Sequence, residues 1–384
     1  MNRLLPFIIF LSIFLTIYGL LHYYFYIKMK NALALGPLNN YLLIIYLSFM
    51  IISPILINIS HKYDSHLLSI VLSYWGYMWM GVLFLFFSIH LLIDIYNMII
   101  KLSAWIFSTT LLDYRPGNRT SLFFTLLLVT SIIIYGGFEA KRIKVETITL
   151  KTERLPPHVD NLRIVQICDM HLSIINNVGF SQEVVNIIKS LKPDILVSTG
   201  DLIESGLRQD KQVAAILGDI KTPYGKFAIT GNHEFHTGIN KAVEFTEKAG
   251  FRMLRNEGTL VGDFVNILGI DDPTAIRSGQ KVSISEEEVF KKFSENSLTI
   301  LLKHQPRVDE RIAGMFDLQL SGHTHKGQIF PFGLITSLFY PYNDGLFEVE
   351  KSSYLYVSRG TGTWGPPVRF LSPPEITVID FKRE

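Results

Sequence analysis

Five short polar patterns, each preceded by an apolar run, constrain the fold of this chain more than any other feature. The patterns are Asp169-Met170-His171, Gly200-Asp201, Gly231-Asn232-His233-Glu234, His304 and Gly322-His323-Thr324-His325. The runs before them have the length and composition of buried strands. They cover residues 162–168, 194–198, 226–230, 298–303 and 317–321.

Helical patterns alternate with these strands, which predicts an α/β protein. Helices are expected at 182–190, 240–249 and 286–293, and further strands at 145–152, 261–270, 354–358 and 375–381. Open α/β sheets place their functional sites at the carboxyl ends of strands. We therefore expect the five polar patterns to meet at one edge.

The side chains in these patterns are ligands for divalent cations such as Mg²⁺, Mn²⁺, Fe or Zn²⁺. A pair of cations about 3.5 to 4 Å apart needs a bridging carboxylate, neutral imidazoles and an open position. Asp201, alone after a tight glycine turn, is the natural bridge. Asp169 and His171 can reach one ion, while His323 and His325 point the same way from an extended tripeptide and can each take one. The sequence thus predicts a two-metal site.

The N-terminal part of the chain has a different composition, and the change falls near residue 140 of 384. About four stretches exceed the roughly 18 apolar residues that cross a bilayer. They lie at 4–27, 41–60, 67–97 and 121–138. We predict a membrane anchor at 1–140 and a globular domain at 143–384, with the amphipathic segment 98–118 along the interface.

The orientation of the anchor depends on the number of spans. With four spans, basic residues are slightly more numerous on the side of the C-terminal half, which favours a cytoplasmic site. Three or five spans would reverse this orientation. His90 and Asp94 lie one turn apart near a helix end, a position that favours an interfacial pair over a proton relay. The helices are therefore interpreted as an anchor rather than a transporter.

Charge and cysteine content exclude other classes. The net charge of +2 is too small and too dispersed to indicate a nucleic-acid partner, and no obligate protein partner can be inferred. Cys168 is the single cysteine, so an intrachain disulfide is impossible, and its place beside Asp169 predicts a small buried residue.

In their order along the chain, the five patterns resemble those of the calcineurin-like metallophosphoesterase superfamily. The stretches 155–171 and 362–369, and Gly327-Gln328 after the last pattern, resemble its bacterial membrane-associated branch. That branch includes the YkuE- and YaeI-type enzymes and the transmembrane metallophosphoesterases. The resemblance covers residues 143–381. It implies an α/β (α+β) four-layer sandwich of two mixed β-sheets flanked by helices, here preceded by a bundle of about four transmembrane helices.

The resemblance also implies roles for individual residues. One metal would be held by Asp169, His171, Asp201 and His325, and the other by Asp201, Asn232, His304 and His323. Manganese is the favoured metal. His233 would act above the metals as a general acid or stabilise charge on the leaving oxygen. A metal-bridging hydroxide would attack phosphorus in line.

Two basic residues are candidates for substrate binding. The superfamily usually has glycine after the His-Thr-His triplet, where this chain has Lys326. A positive φ there would strain lysine, and otherwise its ammonium would favour an anionic or diphosphate substrate. Arg369 is a candidate for contact with a substrate phosphate, with a structural salt bridge as the alternative. Glu234 is expected to order its loop.

These features predict a membrane-anchored phosphoesterase that hydrolyses a phosphodiester or pyrophosphate bond. Because anchoring concentrates lipid-attached substrates at the site, the expected partners are the bilayer and a phosphorylated small-molecule or lipid-linked, envelope-related substrate. A UDP-2,3-diacylglucosamine pyrophosphatase is one alternative. A non-catalytic membrane sensor or scaffold with a structural metal is another, but the intact His233 and complete ligand set argue against it.

Overall fold

The computed structural model describes residues 4–62, 66–108, 110–207, 209–280, 284–294 and 296–384. The chain forms two compact units. One comprises Met1–Gly137 with Gly365–Val368, and the other comprises Phe138–Trp364 with Arg369–Glu384.

Long apolar helices make up the first unit. They are α1 (Leu4–Leu33), α2 (Pro37–Lys62), α3 (His66–Phe107) and α4 (Asn118–Glu139), with a short 3-10 helix at Leu111–Tyr114. Among the described residues, three segments are long and apolar enough to cross a membrane: Pro37–His61, Leu67–Phe107 and Leu111–Glu139. They contain the second, third and fourth predicted runs, and the first lies within α1. The number of spans stays a prediction.

The C-terminal part of α3 carries the first ten residues of the segment 98–118, which was expected to lie along the interface. Residues 98–107 continue α3 without a break. A polar cluster joins α3 to α1: Lys28 Nζ lies 2.7 Å from Asp94 Oδ1, and the Tyr24 hydroxyl donates to Asp94 Oδ2 at 2.7 Å. His90 instead hydrogen-bonds to Thr125 of α4 at 2.8 Å. These polar groups connect helices to one another, which is consistent with an anchor.

The second unit contains two six-stranded sheets. In chain order its strands are β1 (Lys144–Thr152), β2 (Asn161–Ile167), β3 (Ile195–Ser198), β4 (Lys226–Ala228), β5 (Arg252–Met253), β6 (Glu257–Val261), β7 (Val265–Ile270), β8 (Leu298–Lys303), β9 (Leu318–Ser321), β10 (Gly345–Glu350), β11 (Ser353–Val357) and β12 (Glu375–Arg383). The first sheet has the order β1-β12-β2-β3-β4-β5, and the second β10-β11-β9-β8-β7-β6.

Both sheets are mixed. In the first, β12 runs antiparallel to β2, and the other neighbours are parallel. In the second, the outer pairs β10–β11 and β6–β7 are antiparallel around a parallel centre. Helices of this unit are α5 (Val178–Leu191), α6 (Asp210–Gly218), α7 (Asn232–Thr237), α8 (Ile239–Lys248), α9 (Thr274–Arg277), α10 (Glu286–Phe290) and α11 (Phe332–Phe339), with a 3-10 turn at His325–Gly327.

Side chains that alternate between the two faces of each sheet form separate hydrophobic layers. In β2, Leu162 and Ile164 pack between the two sheets, while Val165 and Ile167 pack against a second cluster that includes α5, α6 and α8. A third cluster covers the other face of the second sheet with α10. Successive residues of a strand point to opposite faces of the sheet, so a sheet that is buried on both faces contributes apolar side chains to two cores. The predicted sandwich of two mixed sheets flanked by helices is confirmed.

The parallel strands bring the polar patterns to one end of the sandwich. Strands β2, β3 and β4 are parallel neighbours in the first sheet, as are β8 and β9 in the second. Each of the five is followed, within four residues of its carboxyl end, by one of the predicted patterns. The carboxyl ends of parallel strands meet at one edge of a sheet, which is where such folds form their sites.

Candidate metal centre

The predicted ligands converge in two groups of side chains. Asp169, His171 and His325 form the first group, and Asp201, His304 and His323 form the second. Within each group the potential ligand atoms all lie within 4.8 Å of one another. His171 and Asp201 also group with His233 by the same measure.

Asp201 lies between the two groups. Its Oδ2 atom is 3.8 Å from His171 Nε2 in the first group and 3.3 Å from His304 Nε2 in the second. Its Oδ1 atom accepts a hydrogen bond from the His233 backbone N–H at 2.8 Å. One carboxylate thus faces both sets of imidazoles, as a bridging ligand must.

The donor set fits divalent cations. His171 Nε2 and His325 Nε2 are 3.1 Å apart, and His323 Nδ1 and His304 Nε2 are 3.2 Å apart. The Thr199 carbonyl lies 2.8 Å from His304 Nδ1 and accepts its N–H, so Nε2 is the ring nitrogen that faces the other donors. Asn232 Oδ1 is shielded from solvent and has no hydrogen-bond partner. A bound cation would satisfy this oxygen and the converging ring nitrogens.

Three of the imidazoles are held in the neutral form that metal ligation needs. Burial, reinforced by His233, lowers the pKa of His171. Burial and Arg369 lower the pKa of His325, and burial and His304 lower that of His323 to about 4. Asp201 is the complement: burial alone would raise its pKa, but neighbouring histidines hold it well below its usual range. Burial alone would lower the pKa of His304, but Asp201 raises it well above its usual value. The centre therefore combines an ionised carboxylate with three neutral rings.

The backbone at the ligands takes an uncommon conformation. Positive φ angles occur at Asp169 (51°), His171 (44°), Asp201 (50°), His323 (72°) and His325 (49°). Residues other than glycine are destabilised there by about 1–3 kcal/mol each, and such conformations persist only when the surrounding structure imposes them. The chain turns sharply after each of these strands. The packing around the turns compensates for the unfavourable backbone conformation of the ligands.

Two positions before the ligands require glycine, because their backbone lies very close to the side chains of the centre. A Cβ atom on Gly231 would lie 2.2 Å from Asp201 Oδ1. One on Gly322 would lie 1.9 Å from Cys168 Sγ and 2.3 Å from Asp169 Oδ2. Both distances are far below van der Waals contact, so the backbone passes directly against the metal-facing carboxylates.

Glu234 orders the two loops of the first sheet. Its carboxylate accepts backbone N–H groups of Gly231 at 2.7 Å, Asp201 at 3.0 Å and Leu202 at 2.8 Å. Burial, together with the nearby Asp201, raises the pKa of Glu234 to about 7. The side chain holds the Gly200-Asp201 loop against the start of α7, which is the ordering role that its position predicted.

His233 is paired with an acid that lies outside the five sequence patterns. His233 Nδ1 lies 3.2 Å from Glu204 Oε1, and the His233 ring meets the His171 ring edge to face at 4.7 Å between centroids. Burial alone would lower the pKa of His233, but Asp201 and Glu204 raise it to about 9. Glu204 stands three residues after Asp201 in the same loop, and that acidic spacing is the signal that would have identified it.

Tyr340 is a second residue that was not predicted. Its hydroxyl lies 2.8 Å from His323 Nε2, the ring nitrogen opposite the one that faces His304. A partner of this kind fixes the orientation and tautomer of a metal-facing imidazole. Tyr340 directly follows α11 and has no polar pattern around it in the sequence, so only the fold reveals this contact.

The two candidates for substrate binding occupy different environments. Lys326 is partly exposed, and its Nζ lies 2.9 Å from Asp344. Its φ of 51° is the positive value under which lysine is strained. Arg369 is fully buried and donates to the carbonyls of Arg359 and Gly362. Its donors are thus occupied by loop carbonyls, which favours a structural role, although through hydrogen bonds and not the salt bridge considered above.

Comparison with known proteins identifies the family. Residues 162–327 match the calcineurin-like phosphoesterase family. An uncharacterized metallophosphoesterase of Aquifex aeolicus is 38% identical over 249 residues, which make up 65% of this chain and 95% of that protein. The uncharacterized metallophosphoesterase YkuE of Bacillus subtilis is 34% identical over 278 residues, 67% of this chain and 94% of that one.

A transmembrane protein with metallophosphoesterase domain from Danio rerio is 32% identical over 281 residues, 70% of this chain and 64% of that protein. The fold and the ligand groups are those of a metal-dependent phosphoester hydrolase. The chain belongs to the calcineurin-like metallophosphoesterase family, and the predicted resemblance to its YkuE-type and transmembrane branch is confirmed. Membership implies divalent metal ions, and the apolar helices together with the relatives' names indicate a membrane protein.

The close approach at Gly231 yields a testable prediction. Gly231→Ala forces Asp201 Oδ1 to move, so we expect the purified protein to lose at least one metal ion, measured by elemental analysis. Gly218→Ala is the matched control, because a Cβ at Gly218 meets its nearest atoms at 3.8 Å. Full metal content in both variants would contradict the placement of Asp201 at the centre.

Proposed function

We propose that this chain is a membrane-anchored phosphoesterase with a two-metal centre that hydrolyses a phosphodiester or pyrophosphate bond. The observation that carries the proposal is the position of Asp201, which faces His171 on one side and His304 on the other. Asp169, His171, Asp201 and His325 would hold one cation, and Asp201, Asn232, His304 and His323 the other. Manganese is the favoured metal because the set mixes carboxylate and amide oxygens with imidazoles.

The residues of the chain supply the remaining chemistry. When bound, two cations would supply a water of lowered pKa and positive charge for the phosphoryl oxygens. His233 stands beside this centre and is held by Glu204, which together with Asp201 raises the pKa of its ring, so it can donate a proton to the departing oxygen. Glu234 and Thr199 keep the loop of Asp201 and the ring of His304 in position. Such prior ordering is what allows a site to stabilise charge in the transition state.

The anchor and the chemistry together favour a lipid-linked or envelope-related substrate. The three apolar segments belong to the same polypeptide as the site, so substrates in a bilayer are present at high effective concentration. The rival function is a sensor or scaffold whose metal is structural. A paired general acid such as His233 has no purpose in that case, which favours catalysis.

Removal of one predicted ligand tests whether the chain is an enzyme. In detergent with Mn²⁺ we expect hydrolysis of bis(p-nitrophenyl) phosphate, and we expect Asn232→Ala to abolish it because one cation loses its amide oxygen. His158→Ala, at an exposed histidine between β1 and β2, should retain full activity. Equal activity in the wild type and Asn232→Ala, or none in either, would remove the catalytic proposal.

Glu204 provides a separate test of the role of His233. Proton transfer by a positioned side chain contributes about 10²- to 10⁴-fold to the rate, so His233→Ala should lower kcat by about 10²-fold or more. We expect Glu204→Gln to lower kcat by a smaller factor while metal content stays unchanged, because it removes the orienting charge and no ligand. Glu244→Gln, at an exposed residue paired with Lys248, is the control. If Glu204→Gln instead lost metal at unchanged kcat per loaded site, the assignment would be wrong.

A further inference from the structure

Helix α11 presents an apolar surface that the second unit does not bury. Residues 330–339 (FPFGLITSLF) contain no charged side chain, and no residue of α11 is buried. Leu334, Ile335, Leu338 and Phe339 expose 63%, 46%, 81% and 69% of their surfaces. These four residues are the α11 surface. A contiguous apolar patch of this kind marks an interaction site, since water exposure of so many large side chains is unfavourable.

The polar groups of α11 are already satisfied within the helix. The Thr336 hydroxyl donates to the Phe332 carbonyl at 3.1 Å, and the Ser337 hydroxyl donates to the Gly333 carbonyl at 2.9 Å. Hydroxyls that bond back to their own helix need no partner from outside. The helix can therefore enter a medium without hydrogen-bonding groups, which is the condition that lipid imposes.

The carboxyl end of α11 carries amphipathic side chains. Tyr340 follows the helix directly, and the guanidinium carbon of the exposed Arg307 lies 5.2 Å from the centre of its ring. Tyrosine and arginine combine an apolar body with a polar end, and such side chains are favoured where hydrocarbon meets headgroups. Leu and Phe are the side chains that a membrane-surface helix buries among the acyl chains, and Tyr340 and Arg307 have the character of the residues that lie at the headgroups.

A bilayer is the occupant that these observations favour over a second copy of the chain. A protein partner ordinarily covers one stripe of a helix, and the opposite face then carries charged residues. No residue of α11 is charged. In addition, three segments of the same polypeptide have the length and composition of membrane spans, so a bilayer is always present at high effective concentration.

We propose that the α11 surface inserts into the interfacial region of the membrane. The metal centre is adjacent to this contact: Tyr340 links the end of α11 to His323, and the Asn343 carbonyl accepts the Thr324 hydroxyl at 2.7 Å. Insertion of α11 therefore brings the ligand-bearing 323–325 segment to the level of the lipid headgroups. The inference concerns lipid contact alone and does not depend on the proposed reaction.

Fluorescence of a labelled surface residue tests the insertion directly. Leu338→Cys in the full chain is labelled with an environment-sensitive fluorophore and placed in nanodiscs that contain nitroxide-bearing phospholipid. Cys168 is fully buried, so the native protein should take up no label. Leu334→Cys provides a second position on the α11 surface. The reference is the same fluorophore coupled to a small free thiol in detergent-free buffer. We expect both protein labels to emit at shorter wavelength than this reference. We also expect the lipid nitroxide to quench most of their fluorescence.

Leu260→Cys is the matched control. Leu260 is also an exposed leucine, but it pairs with Asn266 near the start of β7, at the end of the sheet away from the metal centre. Its label should be quenched by iodide in the buffer and not by lipid nitroxide. The proposal is overturned if the label at 338 behaves like the label at 260. It is equally overturned if the label at 338 is protected from both quenchers, because protein would then cover α11.

Discussion

The carboxylate of Asp201 is the interaction on which the rest of the centre depends. It is buried, ionised and close to imidazoles that come from both sheets: His171 follows β2 in the first, and His304 follows β8 in the second. The Asp201 carboxylate, opposite ring nitrogens from both sheets, gives the two sheets a common centre at one end of the sandwich, and its charge would stabilise a cation on either side of it.

Residues around the centre, and not only the ligands, fix its geometry. Five ligands have positive φ angles, and Gly231 and Gly322 allow the backbone to touch the carboxylates. Glu234 then fixes the loop of Asp201 through three backbone N–H groups. Strain of this kind is tolerated at functional sites because precise placement of a few groups matters more there than local stability.

Much of this could be predicted from the sequence, because buried strands followed by polar residues have an unambiguous pattern. The strand at 298–303 and the convergence of Asp169, Asp201 and His304 follow from that pattern alone. Contacts that join distant parts of the chain could not be predicted. Tyr340 reaches His323 only because α11 folds back, and α11 itself lacks the helical spacing of polar residues that would reveal it. For Arg369 the sequence left open a phosphate contact and a structural salt bridge, and only the fold shows that the side chain is buried and donates to loop carbonyls.

The central claim is that Asp201 joins two cations, and electron paramagnetic resonance of the Mn²⁺-loaded protein tests it most directly. Two manganese ions that share a carboxylate are magnetically coupled, so we expect two ions per chain and a broadened, exchange-coupled spectrum. Asp201→Asn should abolish that coupling. A spectrum of isolated Mn²⁺ in the wild type, or a coupled spectrum that survives in Asp201→Asn, would contradict the account.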